Sequence, residues 1–174
     1  MELNQIYFYT ATIKDWATLL FSDKRKDILI DSLRYLVRQK KIALYGFVIM
    51  PNHIHLLWEM LEMNGKEMPY ASFMKFTAHE IQKQLIQSDP KLLEKFKVNL
   101  STREYQFWKR DSLPKHAYSS WYIYQKLDYI HNNPVQGRWM LAPGPDEYHY
   151  SSARFYDTGV DDFDMLTHID ERIR

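Results

Sequence analysis

The stretch Ala43-Leu-Tyr-Gly-Phe-Val-Ile-Met-Pro-Asn-His-Ile-His-Leu-Leu-Trp-Glu59 decides how the chain is read. Two apolar runs, Ala43 to Met50 and His53 to Met60, flank the turn-forming pair Pro51-Asn52. Such runs on either side of a two-residue turn signal predict adjacent strands joined by a tight connection. Side chains alternate between the faces of a strand, so His53 and His55 share one face and Ile54, Leu56 and Trp58 the other. The apolar set claims the core. The two imidazoles, roughly 7 Å apart along the strand, are held together on the opposite face. Two neutral imidazoles on a rigid surface can bind a divalent ion when a third donor approaches from elsewhere. The same spacing also serves two half-exposed strand histidines hydrogen-bonded to their neighbours.

Length and composition narrow the frame around this hairpin. A chain of 174 residues suits one domain, taken as 1–174, with a substantial core. A hydrophobic share of 45% with 16% aromatics argues against disorder. With no cysteine, disulfides, thiolate zinc sites and cysteine nucleophiles are excluded. No apolar run approaches about 18 residues, and Met-Glu-Leu-Asn at the start has no basic segment leading into an apolar one. A cytoplasmic protein without a membrane partner is the expectation. The net charge of +1 hides an asymmetry: residues 140–174 hold three basic and eight acidic groups, leaving 20 and 14 in residues 1–139. A basic body with an acidic end, expected to be mobile from about residue 157, suits a polyanionic ligand, and a solvated surface equally.

Outward from the hairpin, Ile6 to Thr12 is aromatic and β-branched and predicts a first strand. Leu29, Leu33 and Leu36 recur at helical spacing after Ser22-Asp23, predicting a helix from about Asp23 to Lys40. A second helix is expected from about Tyr70 to Gln87, where Met74, Ala78, Ile81 and Leu85 line one side. A short one follows from Asp89-Pro90 to near Lys97. Tyr105 to Trp108 is read as the next strand, and a helix runs from Trp121 to His131, stopped by Pro134. The order β-α-β-β-α-β is ferredoxin-like, an α+β class shared by RRM-like folds. Helices lie on one face of an antiparallel sheet, the His-x-His motif sits on a central strand, and a C-terminal helix follows. One sheet face is left free, with the histidines on it.

On that last helix Ile123, Leu127 and Ile130 form a core stripe. Tyr122, Lys126, Tyr129 and Asn133 form a second stripe at steps of four, three and four. If its end faces the sheet, Asn133 can offer an oxygen to an ion held by His53 and His55, with Tyr129 one turn away. A metal polarising a phosphate oxygen beside a tyrosine that can attack phosphorus makes a phosphoryl-transfer site. With 13 tyrosines in the chain, a packing role for Tyr129 stands beside the chemical one.

Met50-Pro-Asn-His-Ile-His-Leu-Leu-Trp58, followed by Gln125-Lys-Leu-Asp-Tyr-Ile-His-Asn-Asn-Pro-Val135, resembles the REP-associated tyrosine transposases, relatives of the single-tyrosine HUH transposases of small insertion sequences. Phe107-Trp-Lys-Arg110 and Tyr148-His-Tyr-Ser-Ser-Ala153 resemble family segments in the same order, and the likeness spans roughly residues 5 to 156. The resemblance implies that His53 and His55 ligate Mg²⁺ or Mn²⁺, with Asn133 as third protein ligand. It implies that Tyr129 is the nucleophile of a bacterial enzyme, working as monomer or homodimer. Such enzymes cut and rejoin single-stranded DNA beside REP-like hairpins through a 5′-phosphotyrosine intermediate.

Single strands are held by stacking on aromatics along a basic groove. Trp108, Tyr122, Lys109, Arg110, Lys115 and Lys126 are the candidate contacts, each equally compatible with core or solvated surface. Two other readings stay open: a domesticated, non-catalytic single-strand binding protein, and a phosphodiesterase using water with Tyr129 structural.

Overall fold

The structure, a computed structural model, describes residues 1–110 and 112–173. Strand β1 (Ile6–Thr12) leads into helix α1 (Asp23–Arg38), then β2 (Ile42–Met50) and β3 (His53–Met60). Helices α2 (Pro69–Ser88) and α3 (Pro90–Glu94) follow, then β4 (Lys97–Leu100), β5 (Arg103–Tyr105) and β6 (Leu113–His116). The chain ends with α4 (Ser120–Asn132), α5 (Ala153–Thr158) and α6 (Asp170–Ile173). Four strands form one antiparallel sheet in the order β2-β3-β1-β6, the ferredoxin-like arrangement expected.

One correction concerns the fourth strand. Tyr105 to Trp108 does not supply it; β5 ends at Tyr105 and pairs with β4 in a separate two-stranded sheet. The edge is Leu113-Pro-Lys-His116, all four exposed. An edge strand is held by its backbone bonds to one neighbour, so it needs no apolar alternation and tolerates Pro114.

Apolar side chains explain the rest. Leu29, Leu33 and Leu36 of α1 and Phe73, Ile81 and Leu85 of α2 are buried on one face of the sheet. Trp58 meets them there, its ring 5.2 Å from Tyr9 and 6.0 Å from Phe73. The second face is not bare as expected. Helix α4 lies across β2 and β3 with Ile123, Leu127 and Ile130 buried. Its approach is close enough that a Cβ on Gly46 would stand 2.6 Å from a Leu127 methyl. Gly46 also sits at the register shift in the β2–β3 pairing, the bend that lets the strand meet the helix.

The C-terminal segment closes the other edge. Ile49 donates its N–H to Tyr150, Ser152 donates to Phe47, and Thr167 donates to Leu44. An exposed row of strand donors and acceptors is thereby covered. Beyond residue 157, where the composition is acidic, Phe163, Met165 and Ile169 are buried.

Tyrosine hydroxyls fasten this strap. Tyr148 donates to the Ile49 carbonyl at 2.7 Å and Tyr150 to Asp27 at 2.8 Å, while Tyr45, within the sheet, donates to Glu59 at 2.6 Å. Burial, first among the causes, raises all three phenol pKa values above the usual 10, and neighbouring carboxylates raise them further. A raised folded-state pKa means the native chain holds protons that the unfolded chain releases above pH 10. Stability is therefore expected to fall as pH rises past 10, by up to about 1.4 kcal/mol per pH unit per tyrosine. Urea unfolding at pH 8, 10 and 11 checks this, and the slope should flatten in Tyr148→Phe/Tyr150→Phe. Constant stability up to pH 11 would contradict it.

Candidate active site

His53 and His55 are placed by cross-strand pairing on both sides: Thr12 and Met50 flank His53, and Thr10 and Val48 flank His55. The rings lean together, their centroids 4.7 Å apart. Each uses Nδ1 for a structural bond. His53 Nδ1 lies 2.6 Å from Asn52 Oδ1, and His55 Nδ1 lies 2.8 Å from Thr10 Oγ1. Since the Asn52 oxygen can only accept, the His53 proton sits on Nδ1 and its Nε2 presents a lone pair. The His55 Nε2 is buried and, among the described residues, has no hydrogen-bond partner.

Helix α4 is capped by Ser119, whose hydroxyl accepts from the Tyr122 N–H and fixes its first turn. The buried Ile123, Leu127 and Ile130 then set its rotation, and Tyr129 comes to rest on the histidine face. Its ring packs edge-on to His55 with centroids 5.1 Å apart and to Phe8 at 5.9 Å, while remaining 46% exposed. Asn133, the helix C-cap, reaches the His53 ring and favours its protonated form. Burial outweighs that and, aided by the Arg138 charge, lowers the His53 pKa to about 4. Burial, then His53 and Lys126, lower that of His55 to about 3. Both imidazoles are neutral at physiological pH, the form that ligates a metal.

Whether these residues suit a divalent ion turns on the donors. No group of three His, Cys, Asp or Glu able to hold a metal occurs among the described residues. An ion at this spot would need His53, His55 and an amide oxygen, and Asn133 is the amide beside His53. The orphaned His55 Nε2 fits that use, because a buried nitrogen lone pair left without a partner is costly.

The candidate DNA contacts fall in two places. Lys126 and Tyr122 stand beside Tyr129, with the Lys126 ammonium 5.1 Å from the Tyr122 centroid. Lys115 pairs across the sheet with Phe8, on the same face. Trp108, Lys109 and Arg110 instead line a separate cavity of about 690 Å³ with residues of α2 and β5. Trp108 is buried there, donating its indole N–H to Thr77 at 3.1 Å, while Lys109 covers Trp16 at 5.1 Å. Phe8, stacked on His55 at 5.2 Å, and Thr10 and Asn52, which orient the imidazoles, belong to the site although the sequence singles none of them out for it. The alternation of β1 carries the signal for Phe8 and Thr10, readable only once the β1–β3 register is known.

Among solved structures the chain is similar to a REP-associated tyrosine transposase bound to a REP hairpin. The TM-score is 0.63 at 15% identity, over 97% of this chain and 88% of that one. It shares that protein's fold, as the resemblance of its motifs implies. A candidate transposase from Deinococcus radiodurans R1 aligns with TM-score 0.41 at 20% identity, over 73% of this chain and 88% of the other. No protein-family profile and no curated protein matches the chain. Among the described residues no helix is long and apolar enough to cross a membrane.

Proposed function

We propose that the chain is a metal-dependent DNA strand transferase of the single-tyrosine HUH type, cutting and rejoining hairpin-bearing single strands. One observation carries the reading: the Tyr129 ring stands 5.1 Å from His55, whose buried Nε2 has no partner among the described residues and lies beside a second neutral imidazole. A nucleophile and a pair of neutral imidazoles on one sheet face are what phosphoryl transfer needs. Mg²⁺ or Mn²⁺, held by His53, His55 and Asn133, would polarise a non-bridging oxygen of the scissile phosphate. The Tyr129 oxygen attacks phosphorus, the bond to the 3′ oxygen breaks, and a 5′-phosphotyrosine and a free 3′-hydroxyl result. One phosphodiester replaces another, so the step is reversible and rejoining requires no nucleotide cofactor. The shared fold with a transposase bound to a REP hairpin supports a hairpin-bearing single strand as substrate.

The test is incubation with 5′- and 3′-labelled hairpin oligonucleotides and Mn²⁺, followed by denaturing electrophoresis. A protein–DNA species that survives denaturation and carries the 5′-phosphate side is expected. Chelation should remove it while leaving hairpin binding intact. Binding without any such species would favour the non-catalytic single-strand module, and free cleaved products alone would favour a water-using phosphodiesterase.

A further inference from the structure

Lys126 stands one turn before Tyr129 on α4, and its ammonium is surrounded by rings. It lies 5.0 Å from the Phe8 centroid, 5.1 Å from Tyr122 and 5.4 Å from Tyr129. Ring faces hold a cation through their quadrupoles and leave its charge uncancelled, whereas a carboxylate would neutralise it. Among the described residues no carboxylate acts on it. Burial and the neighbouring cation Lys115 are what act on Lys126, both lowering its pKa. Like charges that act on each other repel, and an anion arriving beside them relieves that repulsion. The same charge is felt at His55, so it reaches both the nucleophile and the unpartnered nitrogen.

We infer that Lys126 is a further catalytic residue of the proposed strand transfer, its ring-caged ammonium contacting a non-bridging oxygen of the scissile phosphodiester as Tyr129 attacks. The inference rests on the proposed function and adds to it a group that stabilises the charge of the transition state. A lysine already ordered by three rings loses little rotamer freedom when it grips the phosphate, and its charge is in place before reaction. In the step the Tyr129 oxygen–phosphorus bond forms while the phosphorus–3′ oxygen bond breaks. The phenol proton goes to solvent and the 3′ oxygen takes one from solvent. Lys126 keeps its protons and supplies charge only.

A purely structural cage, packing α4 on β1, makes different predictions. Full-length wild type, Lys126→Met and Lys126→Arg are compared in single-turnover adduct formation with hairpin DNA and Mn²⁺, with hairpin Kd measured in parallel. Lys126→Met is expected to slow adduct formation about 100-fold, with Kd changed no more than about threefold, and Lys126→Arg to recover most of the rate. Repeating the comparison with a methylphosphonate at the scissile position removes the anionic oxygen, and the penalty of Lys126→Met should then shrink to within about threefold. An unchanged rate in Lys126→Met overturns the inference. So does a loss confined to Kd, or a penalty that persists in full on the methylphosphonate. If wild type gives no adduct, the proposed function itself falls and takes this role with it. If wild type reacts and Lys126→Met matches it, only the role of Lys126 falls.

Discussion

Tyr129→Phe is expected to abolish the denaturation-resistant protein–DNA species, a loss greater than about 10⁴-fold in adduct formation. Hairpin affinity should stay within about twofold. The substitution removes one oxygen and nothing else. The ring that packs against His55 and Phe8 and faces the Lys126 ammonium is retained. Because the residue is 46% exposed, stability should change by less than about 0.5 kcal/mol. The variant therefore separates chemistry from binding. Gel detection of the adduct, fluorescence anisotropy for binding and urea unfolding measure the three quantities. Tyr122, the other tyrosine facing Lys126, is the natural rival nucleophile. An adduct that persists in Tyr129→Phe and disappears in Tyr122→Phe would transfer the role to it.

The residues that can be read from the sequence are those whose periodicity carries its own signal. The apolar runs around Pro51-Asn52 become β2 and β3, and alternation correctly puts His53 and His55 on the face away from Trp58. The stripe Ile123, Leu127 and Ile130 becomes the buried side of α4, which turns Tyr129 toward the histidines. Other features depend on partners distant in the chain. Leu113 to His116 has no apolar alternation, because its place at the edge is set by backbone bonds to β1. Thr10 is an ordinary strand residue until the register sets it opposite His55, where its hydroxyl meets Nδ1. Asn52 reads only as a turn former, yet its side chain also fixes the His53 tautomer. The covering of the second sheet face was likewise hidden, since the close approach at Gly46 needs both the bulge in β2 and the far-off helix.

His55→Leu is expected to eliminate adduct formation and, in the presence of chelator, to make the protein more stable. The His55 side chain is buried and stacked on Phe8, and its Nε2 finds no partner among the described residues. A buried polar atom left unsatisfied costs about 1–3 kcal/mol, and leucine of similar volume removes that cost while keeping the contact with Phe8. Against this, the bond to Thr10 is lost, worth about 1 kcal/mol, although a hydroxyl can turn to another acceptor. The net expectation is a gain of about 1 kcal/mol in urea unfolding with EDTA. Adding Mn²⁺ should reverse the order, because an ion that binds only the native wild type stabilises it by mass action. A structural imidazole behaves in the opposite way: its replacement destabilises the chain with or without metal. A loss of more than about 1 kcal/mol for His55→Leu in EDTA would thus assign His55 to the fold and remove it from the chemistry. Gain without the ion and loss with it is the pattern of a residue kept at a cost to stability because the reaction requires it.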